Sequence, residues 1–350
     1  NVVHSGNEWN GGIYTLPVAA YGMNVLYRAD VFKKLGIPAP PSKPSKDWTW
    51  QKYLDIIKKI NGKTVDGTKM YGTVVAGSGP QPVIHMYSQL AASMGARWFQ
   101  DFPNAKKWNF TPKLNSADNL AALKTFTKLY QNSPPQSINY VWFDAGTAFA
   151  QGNVGMFYWW TPYDYLVRRT SYMGTTNSKI VGKYKTAALP VQPGKQQVIS
   201  LGNYSFGISK YSKKRGDAWK FIKWASSAKT QRKMALLPTH LFSDFARKSL
   251  YKDPKLRKIY DYLPTQLRSL EHADGKAVRP PIPNYTTIEG DYGQAVNRTL
   301  AGDLTPKQAL DEVQDKTEKT LRNELYLPWQ QPSHDDTLAN TEALLRRLSR

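Results

Sequence analysis

The densest group of side chains able to do chemistry is the run Met156-Phe157-Tyr158-Trp159-Trp160. Aromatic faces pack on the C–H patches of sugar rings, while Tyr O–H and Trp N–H serve as hydrogen-bond partners, so this composition suits stacking on a carbohydrate. A strand alternates its faces, which puts Met156, Tyr158 and Trp160 on one side and Phe157 and Trp159 on the other. Both sides cannot be exposed together. Trp160 is the preferred platform because Thr161-Pro162 ends the strand directly after it, and ordinary core packing is the alternative reading for every ring in the run.

Other chemistries find less support. Glycoside hydrolysis needs two carboxylates across one sugar ring at roughly 5 to 10 Å. Glu8, Asp144, Asp164, Glu289 and Asp291 are candidates, but none stands in a motif that demands catalysis. The five histidines, His4, His85, His240, His272 and His334, are far apart and lack HExxH or comparable metal spacing. Gly77-Ser78-Gly79 has neither the GxSxG spacing of a nucleophile elbow nor that of a phosphate-binding loop. The expectation is no enzyme, no metal and no cofactor.

The elements that must position the aromatic run begin near the start of the chain. Val18 to Tyr27 is short, largely apolar and rich in β-branched and aromatic residues, which predicts a buried strand. Pro17 and Gly22 punctuate it, predicting a bend. Asp30 is expected to cap a short helix carrying Val31, Phe32 and Leu35 on one face, stopped by Gly36. Residues 47–61 place Tyr53, Leu54, Ile57 and Ile60 at helical spacing, and Asp66-Gly67 reads as a turn. Tyr71 to Ala76 is a strand candidate leading to a ligand-facing loop at Gly77 to Pro80, and Gln81 to Phe99 reads as a helix stopped at Gly95 and then a strand. A helix after Asn115-Ser116 has Leu120, Leu123, Phe126 and Tyr130 as its inward stripe. Leu201 to Lys210 is a further strand, and Lys213 to Ser227 a helix with Ala218, Trp219, Phe221, Ile222 and Ala225 inward. Near the end, Ile288, Tyr292, Ala295, Val296 and Leu300 share a helix face closed by Gly302. Thr305-Pro306-Lys307-Gln308 is a capping box with proline at the first helical position.

At 350 residues the chain is long enough for two bodies with cores of their own. No apolar run reaches the roughly 18 residues of a membrane span. The absence of cysteine removes disulfides and thiolate chemistry. A net charge of +22 would permit nucleic-acid binding, but Lys and Arg are scattered along helical stretches with no accompanying motif. A solvated basic face, or attraction to an anionic membrane surface, is the expectation.

Leu26-Tyr27-Arg28-Ala29-Asp30-Val31-Phe32-Lys33-Lys34-Leu35-Gly36-Ile37-Pro38 resembles a motif of the extracellular solute-binding proteins of ABC sugar importers, the branch that includes maltose-binding protein. The likeness continues in order. Phe149, Gly152 and Gly155-Met156 resemble the approach to the family's aromatic sugar platform. Ala187-Ala188-Leu189-Pro190 resembles the turn before a second crossing strand. Gly202-Asn203-Tyr204, Ile208-Ser209 and the helix after them resemble that crossing, with Asn203 in place of a second glycine and Tyr204 where tryptophan is common. Arg279 to Tyr285 resembles a third crossing, and Gly302 to Leu310 a later family motif.

The resemblance implies an α/β, two-lobed, type II periplasmic-binding fold. Residues 1–27 would form a residual first-lobe segment and the first crossing, 28–200 the second lobe, and 201–280 the rest of the first lobe. Residues 281–326 would form the third crossing and return helices, and 327–350 a tail helix with Leu338, Leu345 and Leu348. It implies ligand contacts at Tyr21, Gln81, Trp159 or Trp160, Gly202, Asn203 and Tyr204. The implied partners are a small carbohydrate or polyol and the permease subunits of an importer. The implied protein is a monomer that binds no nucleic acid and is located in the periplasm or anchored outside the cytoplasmic membrane. A carbohydrate-active enzyme or surface lectin is the alternative. The first crossing comes almost at once, so the first lobe is expected to be incomplete and to leave apolar surface uncovered.

Overall fold

The computed structural model describes residues 7–9, 12–100, 110–168, 177–195, 197–237, 244–272, 278–280, 282 and 284–325. A small ribbon, β1 (Glu8–Trp9) with β2 (Gly12–Ile13), leads into β3 (Thr15–Arg28), and most of the molecule is arranged along this one long strand. In the second half of β3 the apolar Met23, Val25, Leu26 and Tyr27 alternate with the polar Asn24 and lead to Arg28, and every residue from Gly22 to Arg28 is buried.

After β3, α1 (Ala29–Lys34) buries Val31 and Phe32. Its cap corrects one expectation. Arg28 occupies the N-cap position and Asp30 lies inside the first turn, where it accepts from the Arg28 side chain at 2.7 and 2.8 Å. Gly36 ends the segment at φ +63°, a conformation open to glycine. Thr49 caps α2 (Trp50–Ile60), whose Trp50, Tyr53, Leu54, Ile57 and Ile60 face inward as their spacing predicts. A hairpin follows, β4 (Thr64–Val65) and β5 (Thr68–Lys69), with Asp66 and Gly67 both at positive φ in its turn.

Tyr71 to Ala76 does not form the expected strand. Its backbone is shared out: Tyr71 and Gly72 pair with residues 153–156, Thr73 donates to Asn132, and Gly77 donates to Ser137. No single neighbour runs alongside it to make a ladder. Helix α3 (Val83–Ser93) is buried on nearly all sides, and the strand expected after it reduces to one bridge between Phe99 and Pro112. Ser116 caps α4 (Ala117–Tyr130), which buries Ala122, Leu123, Phe126 and Leu129, with Leu120 and Tyr130 at its margins. Next come α5 (Trp142–Ala150), β6 (Met156–Trp160), the short α6 (Tyr165–Arg168) and β7 (Tyr184–Ala187).

The chain then returns along β3 as β8 (Leu201–Gly207) and continues through α7 (Arg215–Ala225), α8 (Ala228–Ala235), α9 (Pro254–Ile259) and α10 (Leu263–Glu271). Helix α7 overturns its predicted face: Ile222 is buried, Ala218 and Ala225 are half-buried, and Trp219 and Phe221 are exposed. Two helices close the described chain. In α11 (Tyr285–Ala301) the predicted stripe is buried and Gly302 caps the end at φ +90°. In α12 (Pro306–Leu325) Thr305 and Gln308 form the reciprocal capping box. The tail helix expected at 327–350, with Leu338, Leu345 and Leu348, and the expected Pro281 and Pro283, lie outside the described residues.

Sheet register divides β3 in two. From Thr15 to Gly22 its partner is β8, in antiparallel register from Thr15 with Gly207 to Gly22 with Leu201, with an irregularity between Pro17 and Ala19. From Met23 onward the partners change to β6, beginning with Met23 opposite Trp160, and to β7, beginning with Val25 opposite Ala187. Gly22 stands at the changeover, where a Cβ would lie 2.8 Å from Ile199 Cγ2. The larger core gathers the second half of β3, β6 and helices α2 to α5 and α11. A smaller core of Phe245, Tyr251, Leu256, Tyr260, Tyr262 and Leu263 lies at α9 and α10. No helix among the described residues is long and apolar enough to cross a membrane.

Candidate functional site

The changeover in β3 also assembles the site. Residues paired across an antiparallel sheet point to the same face, so Tyr21, Met23 with its partner Trp160, and Ala19 with its partner Tyr204 share one side. Three aromatic rings separated by up to 183 positions in sequence thereby meet. The Tyr21 ring centroid lies 5.4 Å from Trp160, edge to face, and 5.7 Å from Tyr204. Trp160 is almost covered, whereas Tyr204 is 64% exposed, so the ledge rises from core to solvent. Gly202 makes the seat possible: a Cβ there would lie 2.0 Å from Tyr21 Cε2. Burial pushes the Tyr21 hydroxyl well above the ordinary tyrosine range, with a hydrogen bond to Tyr204 acting in the same direction, so Tyr21 is a neutral phenol.

From Trp160 the ledge continues into a polar corner. Trp142, at the start of α5, packs edge-on to Trp160 at 6.0 Å, and His85 of α3 stacks flat on Trp142 at 5.8 Å. The His85 Nε2 group lies 2.9 Å from Glu289 Oε1. Glu289 also accepts from Gln81 Nε2 and the Tyr285 hydroxyl. Burial alone would raise the Glu289 carboxyl, but these donors and the nearby Arg279 bring it below the ordinary carboxylate range. Burial holds His85 below the ordinary histidine value, and Arg279 adds to that. A neutral imidazole donating to a carboxylate satisfies both. Arg279 completes the corner, with its guanidinium carbon 5.8 Å from the Trp160 ring centroid and a hydrogen bond to Tyr285.

Of the residues named from sequence, Tyr21, Trp160, Gly202 and Tyr204 come together on the ledge. Asn203, paired with Ala20 on the opposite face, is half-buried and donates to Asn7 and Ser205. Gln81 stands in the polar corner through Glu289. Trp159 does not join them. It faces the other side of β6, fully buried, with its ring 5.0 Å from Phe157 and 5.2 Å from Tyr163 and packed where Gly146 leaves room. Strand alternation removes it from the ledge.

Sequence reasoning missed Trp142, and it weighed His85 and Glu289 only as metal or catalytic candidates. One signal was available: Tyr285 and Glu289 are four apart on α11 and so share a face. The other acidic candidates have local partners. Asp144 accepts from the Val141 amide at the start of α5, Asp164 pairs with Arg168 and Tyr184, and Asp291 faces Lys316. The Glu8 side chain lies outside the described residues.

The family model for bacterial extracellular solute-binding proteins matches residues 3–232, well over half of the chain. The chain belongs to that family. A solute-binding protein of an ABC transporter from Agrobacterium radiobacter K84, solved with ribitol, superposes with a TM-score of 0.77 at 28% identity, covering 91% of this chain and 74% of that one. A second, from Agrobacterium vitis S4 with bound D-mannitol, gives 0.76 at 27% identity, covering 92% and 76%. A probable ABC transporter-binding protein of Deinococcus radiodurans is 23% identical over 310 residues, which are 88% of this chain and 69% of the relative. The architecture of this solute-binding protein is accordingly the two-lobed α/β arrangement of type II periplasmic-binding proteins.

Proposed function

We propose that this solute-binding protein captures an open-chain polyol or a sugar against the Tyr21–Trp160–Tyr204 ledge and delivers it to the permease of an ABC importer. The observation that carries the reading is the ledge itself, built where β3 changes partners, so that a solute lying on it touches Tyr21 of β3 and side chains from the partner strands of both its halves, Tyr204 of β8 and Trp160 of β6. The aromatic faces offer C–H stacking, and the polar corner of His85, Glu289, Gln81, Tyr285 and Arg279 offers donors and acceptors to hydroxyl groups. Ribitol and D-mannitol in two relatives favour a polyol over a larger saccharide as the first ligand to try. A solute touching both halves stabilises whichever arrangement brings them together, and that population shift is the signal a permease reads.

In this reading the protein is a monomeric receptor outside the cytoplasmic membrane, not an enzyme, and binds no nucleic acid. The local partners of the acidic candidates favour binding over hydrolysis. The test is a titration of intrinsic tryptophan fluorescence with ribitol, D-mannitol and maltose, with the mixtures then analysed for products. Saturable change without turnover is expected. Product formation would support a carbohydrate-active enzyme, and silence across the panel would remove the polyol and sugar reading.

A further inference from the structure

The polar corner is organised around one carboxylate. Glu289 of α11 accepts from three side chains held on separate stretches of chain: Gln81 Nε2 just before α3, His85 Nε2 within α3 at 2.9 Å, and the Tyr285 hydroxyl one turn back on α11. Its burial works against the charge, but His85, Tyr285 and Arg279 outweigh burial, so Glu289 is ionised and can only accept. The polarity of each partner is thereby fixed. An amide that gives its NH2 group to Glu289 turns its oxygen away. An imidazole kept neutral by burial, with its one proton on Nε2, has a bare Nδ1. A phenol whose proton points at Glu289 keeps only oxygen lone pairs, and Arg279 already donates to the Tyr285 oxygen.

What remains reachable is mostly of one kind. Gln81 is exposed and the His85 side chain keeps 13% of its surface open. Neither Gln81 Oε1 nor His85 Nδ1 has a hydrogen-bond partner among the described residues. The stack of His85 on Trp142, 12° from parallel, holds the plane in which the Nδ1 lone pair lies. Trp142 packs in turn on Trp160, so these two acceptors adjoin the ledge. Net charge does not favour an anion here, because Glu289 and Arg279 offset each other.

We infer that Glu289 is a positioning residue: it takes up the donors of Gln81, His85 and Tyr285, so that Gln81 Oε1 and His85 Nδ1 are presented as acceptors and the corner selects a neutral polyhydroxy solute through its hydroxyl hydrogens. The selection rests on the ledge being the solute site; the positioning does not. A hydroxyl suits such a corner because it donates to the two acceptors and accepts from the remaining N–H groups of Arg279. Carboxylate and phosphate oxygens only accept, and would meet the lone pairs of Gln81 and His85. Without a fixed carboxylate the preference disappears, since an amide can flip, an imidazole can change tautomer and a hydroxyl can rotate.

The test is NMR of the imidazole nitrogens in histidine-labelled protein at neutral pH, with His85→Gln to assign the signals, alongside fluorescence titration with D-mannitol, ribitol, maltose and D-mannarate, which carries a carboxylate at each end. In the protein without solute, His85 is expected as the Nε2–H tautomer with a bare Nδ1. Saturation with D-mannitol should shift the Nδ1 signal as a lone pair does on accepting a hydrogen bond, and D-mannarate should bind more weakly than D-mannitol. Glu289→Gln should mix the two His85 tautomers and weaken D-mannitol binding about tenfold. The wild-type measurements decide the matter even where that variant does not fold. An Nδ1–H tautomer or an imidazolium at His85, an unmixed tautomer in folded Glu289→Gln, an Nδ1 signal that D-mannitol leaves in place while binding, or D-mannarate binding as tightly as D-mannitol overturns the inference. Silence toward every solute with the Nε2–H tautomer present removes the selection together with the solute reading and supports the positioning of His85 by Glu289.

Discussion

Residues 23–28 and residues 15–22 are one strand in two settings. The first stretch has β6 on one edge, β7 on the other and both faces covered. The second has β8 as its ladder partner and stands beside rings that remain half in water. Apolar and aromatic residues are common to both stretches and to their partners, yet in one setting they make a core and in the other a ledge and an open face. Coverage by neighbouring elements assigns the role, not the residue type.

The largest expected contrast lies between two tryptophans. Trp159→Ala, in the covered setting, should cost about 3–5 kcal/mol in urea unfolding, because it leaves a cavity the size of an indole. Trp224→Ala, on the open face, should stay within about 0.5 kcal/mol. Equal losses would break the comparison. A smaller effect is expected at the seat of the ledge. Gly202→Ala forces a Cβ against the Tyr21 ring and should cost about 1–3 kcal/mol, with a parallel loss of solute affinity. Unchanged affinity in that variant would separate Tyr21 from binding. Trp160→Ala should weaken polyol binding by about tenfold, or ~1.4 kcal/mol in a fluorescence or calorimetric titration.

The smallest expected effect is a pH dependence confined to the polar corner. The folded value of His85 lies below its ordinary 6.5, so between the two values the unfolded chain holds a proton that the native one does not. Stability therefore rises with pH through that window and is lost as pH falls below about 6.5. Glu289, with its folded value below its ordinary 4.5, adds stability that is present above 4.5 and lost as acid titrates it. Chemical denaturation across about pH 3 to 7 should show both slopes, and His85→Gln should flatten the upper one and shrink the lower, because His85 is one of the groups that hold the Glu289 carboxyl down. A variant that loses neither slope would place the titration elsewhere.

Much of this was legible in the residues, and where it failed the reasons are physical. β3 and helices α2, α11 and α12 follow from local signals: composition, periodicity, capping residues and glycine at positive φ. The sequence reading expected a strand at Tyr71 to Ala76, which has strand composition but no continuous partner. It passed over β7, four residues that pair well only because β3 is adjacent. The inward face assigned to α7 was the one its amphipathic spacing suggested, and Trp219 and Phe221 on that face are exposed among the described residues. Trp160 was preferred to Trp159 only for its place at the strand end, and β3 and α5 then decided which side of β6 was packed.

By itself, the order of residues determined where the chain extends, coils, caps and turns, since those choices depend on contacts a few positions apart. Only the tertiary structure decided that Tyr21, Trp160, Tyr204, His85 and Glu289 meet in one site, that Trp159 does not join them, and that among the described residues β8 pairs along one edge alone. Such outcomes depend on which distant segments lie alongside one another, and periodicity within a segment carries no record of its partner.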